Sequence, residues 1–271
     1  MKRKLREIDL LDCEIEIPSY YRDDYRVNCL MYDWSAYNII KENKKRIIYD
    51  SSVMLFRRII KKSGKCCCVV ENNKFFSARA DGVSSIAISL GACSHAVVSG
   101  EDGIVLATGV NGEAEAASKF SVAVSTGCSG IASLESSYGA AVSTGPHGTA
   151  SATHDGTSQI VLATGPMGKA IVAGGGFAIA TGVGGKAIAL EEACVAIAIE
   201  MHTIAKGVLG AWIVVAGYSN DGYIECIKCA KVDGVSIKAG VYYSVYNGEL
   251  LEVQDKNFNY FQGYVHLGDD A

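Results

Sequence analysis

Small apolar residues return at every ninth position between Ser85 and Ala205. Aligned on the second place of each unit, the occupants are Ala87, Ala96, Val105, Ala114, Ala123, Ala132, Ala141, Ala150, Val161, Ala170, Ala178, Ala187, Ala196 and Ala205, with one step of eleven and one of eight. The fourth place is as restricted, with residues such as Ser89, Ala107, Ser125, Ala152 and Ala180. A nine-residue period is too short for a helical repeat and suits one short strand plus one turn. A second period overlies the first: Gly91, Gly109, Gly127, Gly145, Gly165 and Gly182 recur about every eighteen residues, usually after Thr. Two unlike nonads therefore make one coil. The pattern predicts a mainly β chain, a two-sheet parallel β-solenoid of about eighteen residues per coil and about seven coils. Glycine is expected in the turns to supply positive φ.

Alternation within each nonad assigns the faces. Places two and four are small throughout, which fits a narrow interior that a larger residue would overpack. Places one and three then face out. On the even half-coils they include Glu113, Glu115, Thr149, Ser151, Lys169 and Lys186. On the odd half-coils they are Ile104, Leu106, Val122, Val124, Val142, Ile160, Leu162, Phe177, Ile179, Val195 and Ile197, with Ala140. In this phase one sheet carries an apolar stripe along the solenoid, and those eleven residues form the expected interface. Apolar patches of that size mark self-association or coverage by another domain. An inverted phase on the odd half-coils, packing the large residues inward, is the alternative.

The flanks read differently. Glu14-Ile15-Glu16-Ile17 alternates like a short strand ended by Pro18. Ser35 is a candidate cap for a helix through Lys45, and Asp50-Ser51-Ser52 caps a second predicted helix over 51–63, with Arg57, Arg58, Lys61 and Lys62 in its last turns and Gly64 as its stop. Cys66-Cys67-Cys68-Val69-Val70 reads as a buried strand. Both solenoid ends need caps, because a bare coil exposes backbone edges and core. Residues 64–82 are expected at one end. Beyond residue 210 the repeat lapses, and a strand at Tyr223–Ala230 with a hairpin signal at Tyr246-Asn247-Gly248-Glu249 predicts a small antiparallel cap. The expected organisation is an α+β head over 1–80, the solenoid over 81–209 and a β cap over 210–271.

Charge is unevenly distributed. Residues 1–80 carry 17 Lys+Arg against 11 Asp+Glu, 81–218 carry 4 against 10, and the remainder 4 against 8. A positive head on a negative body biases end-to-end contacts, and the overall charge of −4 argues against nucleic acid as the main partner. The basic start Met1-Lys2-Arg3-Lys4 runs into Glu7, Asp9 and Asp12 rather than an apolar segment, so neither a signal peptide nor a membrane span is expected. With that, ten cysteines suggest free thiols in a reducing compartment, and the cytoplasm is the expected location.

The motifs that carry chemistry elsewhere fall short here. Calcium-binding nonad rolls place Asp in each turn, whereas these turns hold Val110-Asn111, Cys128-Ser129, Pro146-His147 and Pro166-Met167. Gly168-Lys169 and Gly185-Lys186 lack the leading Gly and the trailing Ser/Thr of a phosphate loop, with Ala163, Ala180, Ala170 and Ala187 in those places. Cys226 and Cys229 have no second pair nearby, and three residues apart on a strand they point to opposite faces. His147 and His154 lie a strand length apart. Glu113 with Glu115 reads as an exposed acidic patch rather than an acid/base pair. No cofactor, metal or catalytic residue is expected.

The Ser/Thr-Gly nonads, followed by Trp212-Ile213-Val214, Ala230-Lys231-Val232-Asp233-Gly234, Tyr242-Tyr243-Ser244 and Asn247-Gly248-Glu249-Leu250, resemble uncharacterised nonapeptide-repeat proteins of bacteria and their phages, over roughly 83–253. That resemblance implies the solenoid and its C-terminal β domain and brings no activity. A looser likeness exists to the β-roll heads of trimeric adhesins. The functional expectation is a non-catalytic binding or scaffold protein that self-associates, a dimer being favoured. The alternatives are a phage-encoded inhibitor of a host defence or nucleic-acid-binding protein, and an enzyme seated in the head.

Overall fold

The computed structural model describes residues 13–16, 59–63, 68–72, 76–153, 157–219 and 221–254. Four-residue strands alternate with short turns, as the nonads require. One sheet contains β1 (Cys13–Glu16), β2 (Ile59–Ser63), β4 (Ser77–Asp81), β6 (His95–Val98), β8 (Glu113–Ala116), β10 (Ile131–Leu134), β12 (Thr149–Ala152), β14 (Lys169–Val172), β16 (Lys186–Ala189), β18 (Ile204–Gly207), β21 (Tyr242–Tyr246) and β22 (Glu249–Val253), in that order. The other contains β3 (Cys68–Glu71), β5 (Ile86–Ser89), β7 (Ile104–Ala107), β9 (Val122–Ser125), β11 (Ala140–Ser143), β13 (Thr157–Ala163), β15 (Gly175–Ala180), β17 (Val195–Ala198), β19 (Trp212–Tyr218) and β20 (Ile224–Lys231). Successive strands thus alternate between the sheets, and neighbours within a sheet are parallel through the body. This is a β-solenoid of about eight turns. It has one turn more than the repeat predicts, because β3 and β4, upstream of Ser85, already lie in the two sheets and pair with β5 and β6.

Places two and four form the interior. Ala87, Ala123, Ala150 and Ala178 are fully buried, as are Ala107, Ser125 and Ala180. The odd half-coils keep the same phase as the even ones. Interior space is matched at several corners. Leu134, the largest place-four residue, lies where a Cβ on Gly139 would stand 3.2 Å from its methyls. Val98 likewise faces Gly103, at 2.1 Å from where such a Cβ would stand. Where place four shrinks to Ala116, Ala189 or Ala198, buried Ser121, Cys194 or Thr203 fills the following corner.

The turns correct one expectation. Gly109, Gly127, Gly145 and Gly165 do not supply positive φ; the residues two places later do, namely Asn111, Ser129, His147 and Met167 at 53° to 57°. That conformation aims each of their N–H groups at the next coil: Asn111 donates to the Cys128 carbonyl at 2.9 Å, Ser129 to Pro146 at 2.8 Å and His147 to Pro166 at 2.8 Å. The glycines are there because the turns stack backbone on backbone. A Cβ on Gly127 would stand 1.9 Å from the Gly109 carbonyl oxygen, and one on Gly145 would stand 2.0 Å from that of Gly127. On the opposite edge a side-chain ladder does related work. The Ser118 hydroxyl donates to the Gly100 carbonyl, that of Ser136 to Ser118, and Gln159 Nε2 to Ser136 at 2.7 Å.

The flanks differ from expectation in two places. The strand read as buried over Cys66–Val70 is described from Cys68, and it leaves Val70 46% exposed on an outward face. The predicted helix over 51–63 is a strand where it is described: Ile59–Ser63 pair in parallel with Ser77–Asp81. An open sheet edge offers a full ladder of partners, and such tertiary pairing overrides weak local helix signals. Residues 51–58, the 35–45 helix, Cys66 and Cys67 lie outside the described residues. The strand expected at Glu14–Ile17 is present as Cys13–Glu16, Ile17 lying outside the described residues, and pairs antiparallel with β2. So is the antiparallel C-terminal cap: β20 folds back on β19, and β21 and β22 form the hairpin at Asn247-Gly248. The loop between β20 and β21 closes the end of the column. Val232 is buried there, its amide donates to the Ala211 carbonyl at 2.8 Å, and Gly240 donates to Gly207 at 2.8 Å. Asp233 Oδ1 organises the loop by accepting from the amides of Val235, Ser236 and Ile237 at 2.8–2.9 Å, and those donors hold its carboxyl below the usual range.

Two outcomes follow. Gly127→Ala has to separate two stacked turns and is expected to destabilise by about 3 kcal/mol, the upper end for overpacking; His147→Gly relaxes a left-handed residue and should shift stability by less than about 1 kcal/mol. Urea unfolding of both variants measures the contrast. Because the Asp233 carboxyl is lowered in the folded state, its contribution is present above the ordinary Asp range and is lost as pH falls through the folded value. Hydrogen exchange at Val235, Ser236 and Ile237 should therefore accelerate on acidification, beyond the intrinsic change. Asp233→Asn should abolish that pH dependence.

Candidate interaction surface

The outward face of the ten-stranded sheet is built from two columns in strict register. The first runs Cys68, Ile86, Ile104, Val122, Ala140, Ile160, Phe177, Val195 and Trp212, each opposite the next. The second runs Val70, Ile88, Leu106, Val124, Val142, Leu162, Ile179, Ile197 and Val214. No charged residue interrupts either column between β3 and β19. Ile104 is 47% exposed, Ile160 50% and Phe177 46%, so the face is open to solvent among the described residues. Beside the columns lies a ladder of Thr108, Thr126, Thr144, Thr164 and Thr181. Their amides continue the coil-to-coil hydrogen bonding, for instance Thr126 to the Ala107 carbonyl at 2.9 Å.

All eleven residues singled out from the sequence stand on this face. The structure adds Val70, Ile86, Ile88, Trp212 and Val214. Ile86 and Ile88 flank Ala87, so the same phase reaches them. Trp212 and Val214 follow the lapse of the repeat, where the step from Ala205 to Ile213 is eight. Only pairing with β17 reveals that they prolong the stripe.

The opposite sheet is unlike it. Its outward residues mix Arg79, His95, Glu113, Glu115, Ser133, Ser151, Lys169 and Lys206 with a few isoleucines. Strand stacking brings His95 Nε2 to Glu115 Oε2 at 3.2 Å, a pairing across twenty residues that spacing alone does not suggest. Lys206 Nζ lies 4.4 Å from the Tyr242 ring centroid, a cation–π contact, and Ile188 and Ile204 pack beside that ring. Ile204 is fully buried there.

The chemistry-bearing motifs are now placed. Cys226 is opposite Gly217 and Cys229 opposite Val214, so the pair points to opposite faces of β20. Gly168 and Gly185 close turns through hydrogen bonds to Gly165 and Gly182, and the lysines after them begin β14 and β16. His147 is exposed at a turn, and His154 lies outside the described residues. Glu113 and Glu115 share the outward face of β8. No group of three His, Cys, Asp or Glu among the described residues could hold a metal ion, and no described helix is long and apolar enough to cross a membrane.

No protein-family model matches the chain, nor does any curated protein or solved structure. The surface itself therefore carries the functional argument.

Thiol exposure supplies a check on this architecture. Cys194 is fully buried, and burial pushes its thiol up, whereas Cys93 and Cys128 are exposed at turns. Alkylation at neutral pH followed by peptide mapping should label Cys93 and Cys128 at least tenfold faster than Cys194, since the thiolate is the reactive form. Comparable rates would place Cys194 at the surface.

Proposed function

We propose that this protein is a non-catalytic scaffold, a rigid solenoid that self-associates through the outward face of its ten-stranded sheet. The observation that carries this reading is the pair of unbroken apolar columns on one face of a molecule whose other face is mixed and charged. Large contiguous apolar surface in water is a cost that association removes, at roughly 25 cal/mol per Å² buried. The columns sit on a backbone locked by inter-coil hydrogen bonds, so little ordering opposes binding. Cys93, Cys128, Cys194, Cys226 and Cys229 carry free thiols, in keeping with a cytoplasmic location. The likeness of the nonads to repeat proteins of bacteria and phages belongs to the same proposal.

The test is mass in solution. Light scattering on the eluting protein is expected to give twice the 28.6 kDa chain mass. Val124→Lys places an unpaired charge in the middle of the stripe and should weaken association about a hundredfold or more, with the fold retained because the position faces outward. Ser151→Lys, on the opposite sheet, should leave the mass unchanged. A wild-type monomer, or equal behaviour of the two variants, removes the reading.

A further inference from the structure

The two apolar columns are not uniform, and their irregularity fixes how a partner sits. Along the first column the smallest side chain is Ala140 on β11, and the largest before the terminal Trp212 is Phe177 on β15. These two strands flank β13 on either side in the sheet. We propose that the partner is a second copy of this chain, packed face to face about a two-fold axis along β13, so that Phe177 of each copy fills the gap over Ala140 of the other. This rests on the self-association reading and specifies its geometry.

Three observations converge on it. The first is the repeat itself. Both columns step by one strand spacing, about 4.8 Å. A second copy has that same step along its whole length, whereas a partner of another architecture matches it only locally. The second is the pairing that the axis generates. With β13 on the two-fold, Leu162 meets its own copy, Ile179 faces Val142, Ile197 faces Val124, Val195 faces Val122, and Trp212 faces Ile104. These pairings are apolar, and at the rim Lys231 on β20 faces Ile86 on β5, where a charge is tolerated. A two-fold running along the columns, midway between them, would instead set Phe177 against Ile179 and Ala140 against Val142, large on large and small on small. The third is area. The strands from β5 to β20 span about 38 Å, and a four-residue strand about 13 Å, giving a flat footprint on the order of 500 Å² per copy. The total of about 1,000 Å² reaches the size at which specific interfaces begin, and the ridged face buries more than its flat projection.

Two variants test the register without disturbing the fold, since both positions face outward. Ala140→Glu and Phe177→Lys should each weaken self-association about a hundredfold when alone. In an equimolar mixture, one copy of each has the introduced carboxylate opposite the introduced ammonium, and the second Phe177 and Ala140 pairing is native. The mixture should then recover dimers of mixed mass by native mass spectrometry, while each variant by itself runs as a monomer. Recovery cannot come from pairing within one chain, because each chain carries a single charge. If Val124→Lys is monomeric but the mixture is too, the β13 axis is overturned and the self-associating face stands. If the wild-type chain is a monomer at high micromolar concentration, both are overturned, and the stripe is covered by this chain's own flanks or by a different protein.

Discussion

The closest constraint in the molecule is backbone stacked on backbone at the turns. Each coil lies directly on the one before, and the turn glycines approach the preceding turn's carbonyls within a distance that leaves no room for a Cβ. Everything else follows from that contact. It sets the strand step, keeps the sheets in register, and lets left-handed turn residues donate their amides along the column rather than to solvent. Each of those residues carries a conformational penalty of about 1–2 kcal/mol if it is not glycine, and the inter-coil hydrogen bond satisfies an amide that the stacked turn would otherwise leave without a partner.

Narrowness is the second consequence. With two sheets this close, the interior of the body is mostly alanine, serine and valine; Leu134 stands against a glycine, and larger residues such as Ile213 and Tyr243 enter the core only toward the C-terminal end. Inward hydroxyls remain compatible with burial because they reach turn carbonyls: Ser125 donates to Gly112 at 3.3 Å and Ser143 to Gly130 at 3.4 Å. The interior thus derives its specificity from size rather than from large apolar side chains. The large apolar side chains are on the outside of one sheet, the inverse of an ordinary globular arrangement, and that inversion is what points to association.

The two sheets divide the work. The twelve-stranded sheet has its polar outward face, its His95–Glu115 pair and its Tyr242 cluster, all consistent with a surface that stays in water. The ten-stranded sheet presents ridged columns of one chemistry over the length of the body. A face this regular gives affinity by area and gives register only through its exceptions, which is why one small and one large residue matter more than the rest of the stripe.

Much was legible in the chain itself. Period nine, the alternation inside each nonad and the paired half-coils determined the solenoid, its interior residues and the outward stripe, because a repeat that must stack on itself leaves the same trace at every turn. The hairpin at Asn247-Gly248 was legible for a local reason, its turn chemistry. Three things were not. At Gly109, Gly127, Gly145 and Gly165 glycine's role was close approach, while positive φ falls to glycine at other turns such as Gly174 and Gly184; close approach exists only once coils are stacked. Ile59–Ser63 joined a sheet whose edge is supplied by residues eighteen positions away. Trp212 and Val214 joined the stripe after the repeat had lapsed, through pairing with β17. In each case the deciding partner is distant in sequence, so periodicity announced the coil and only the stacked structure decided what each position does.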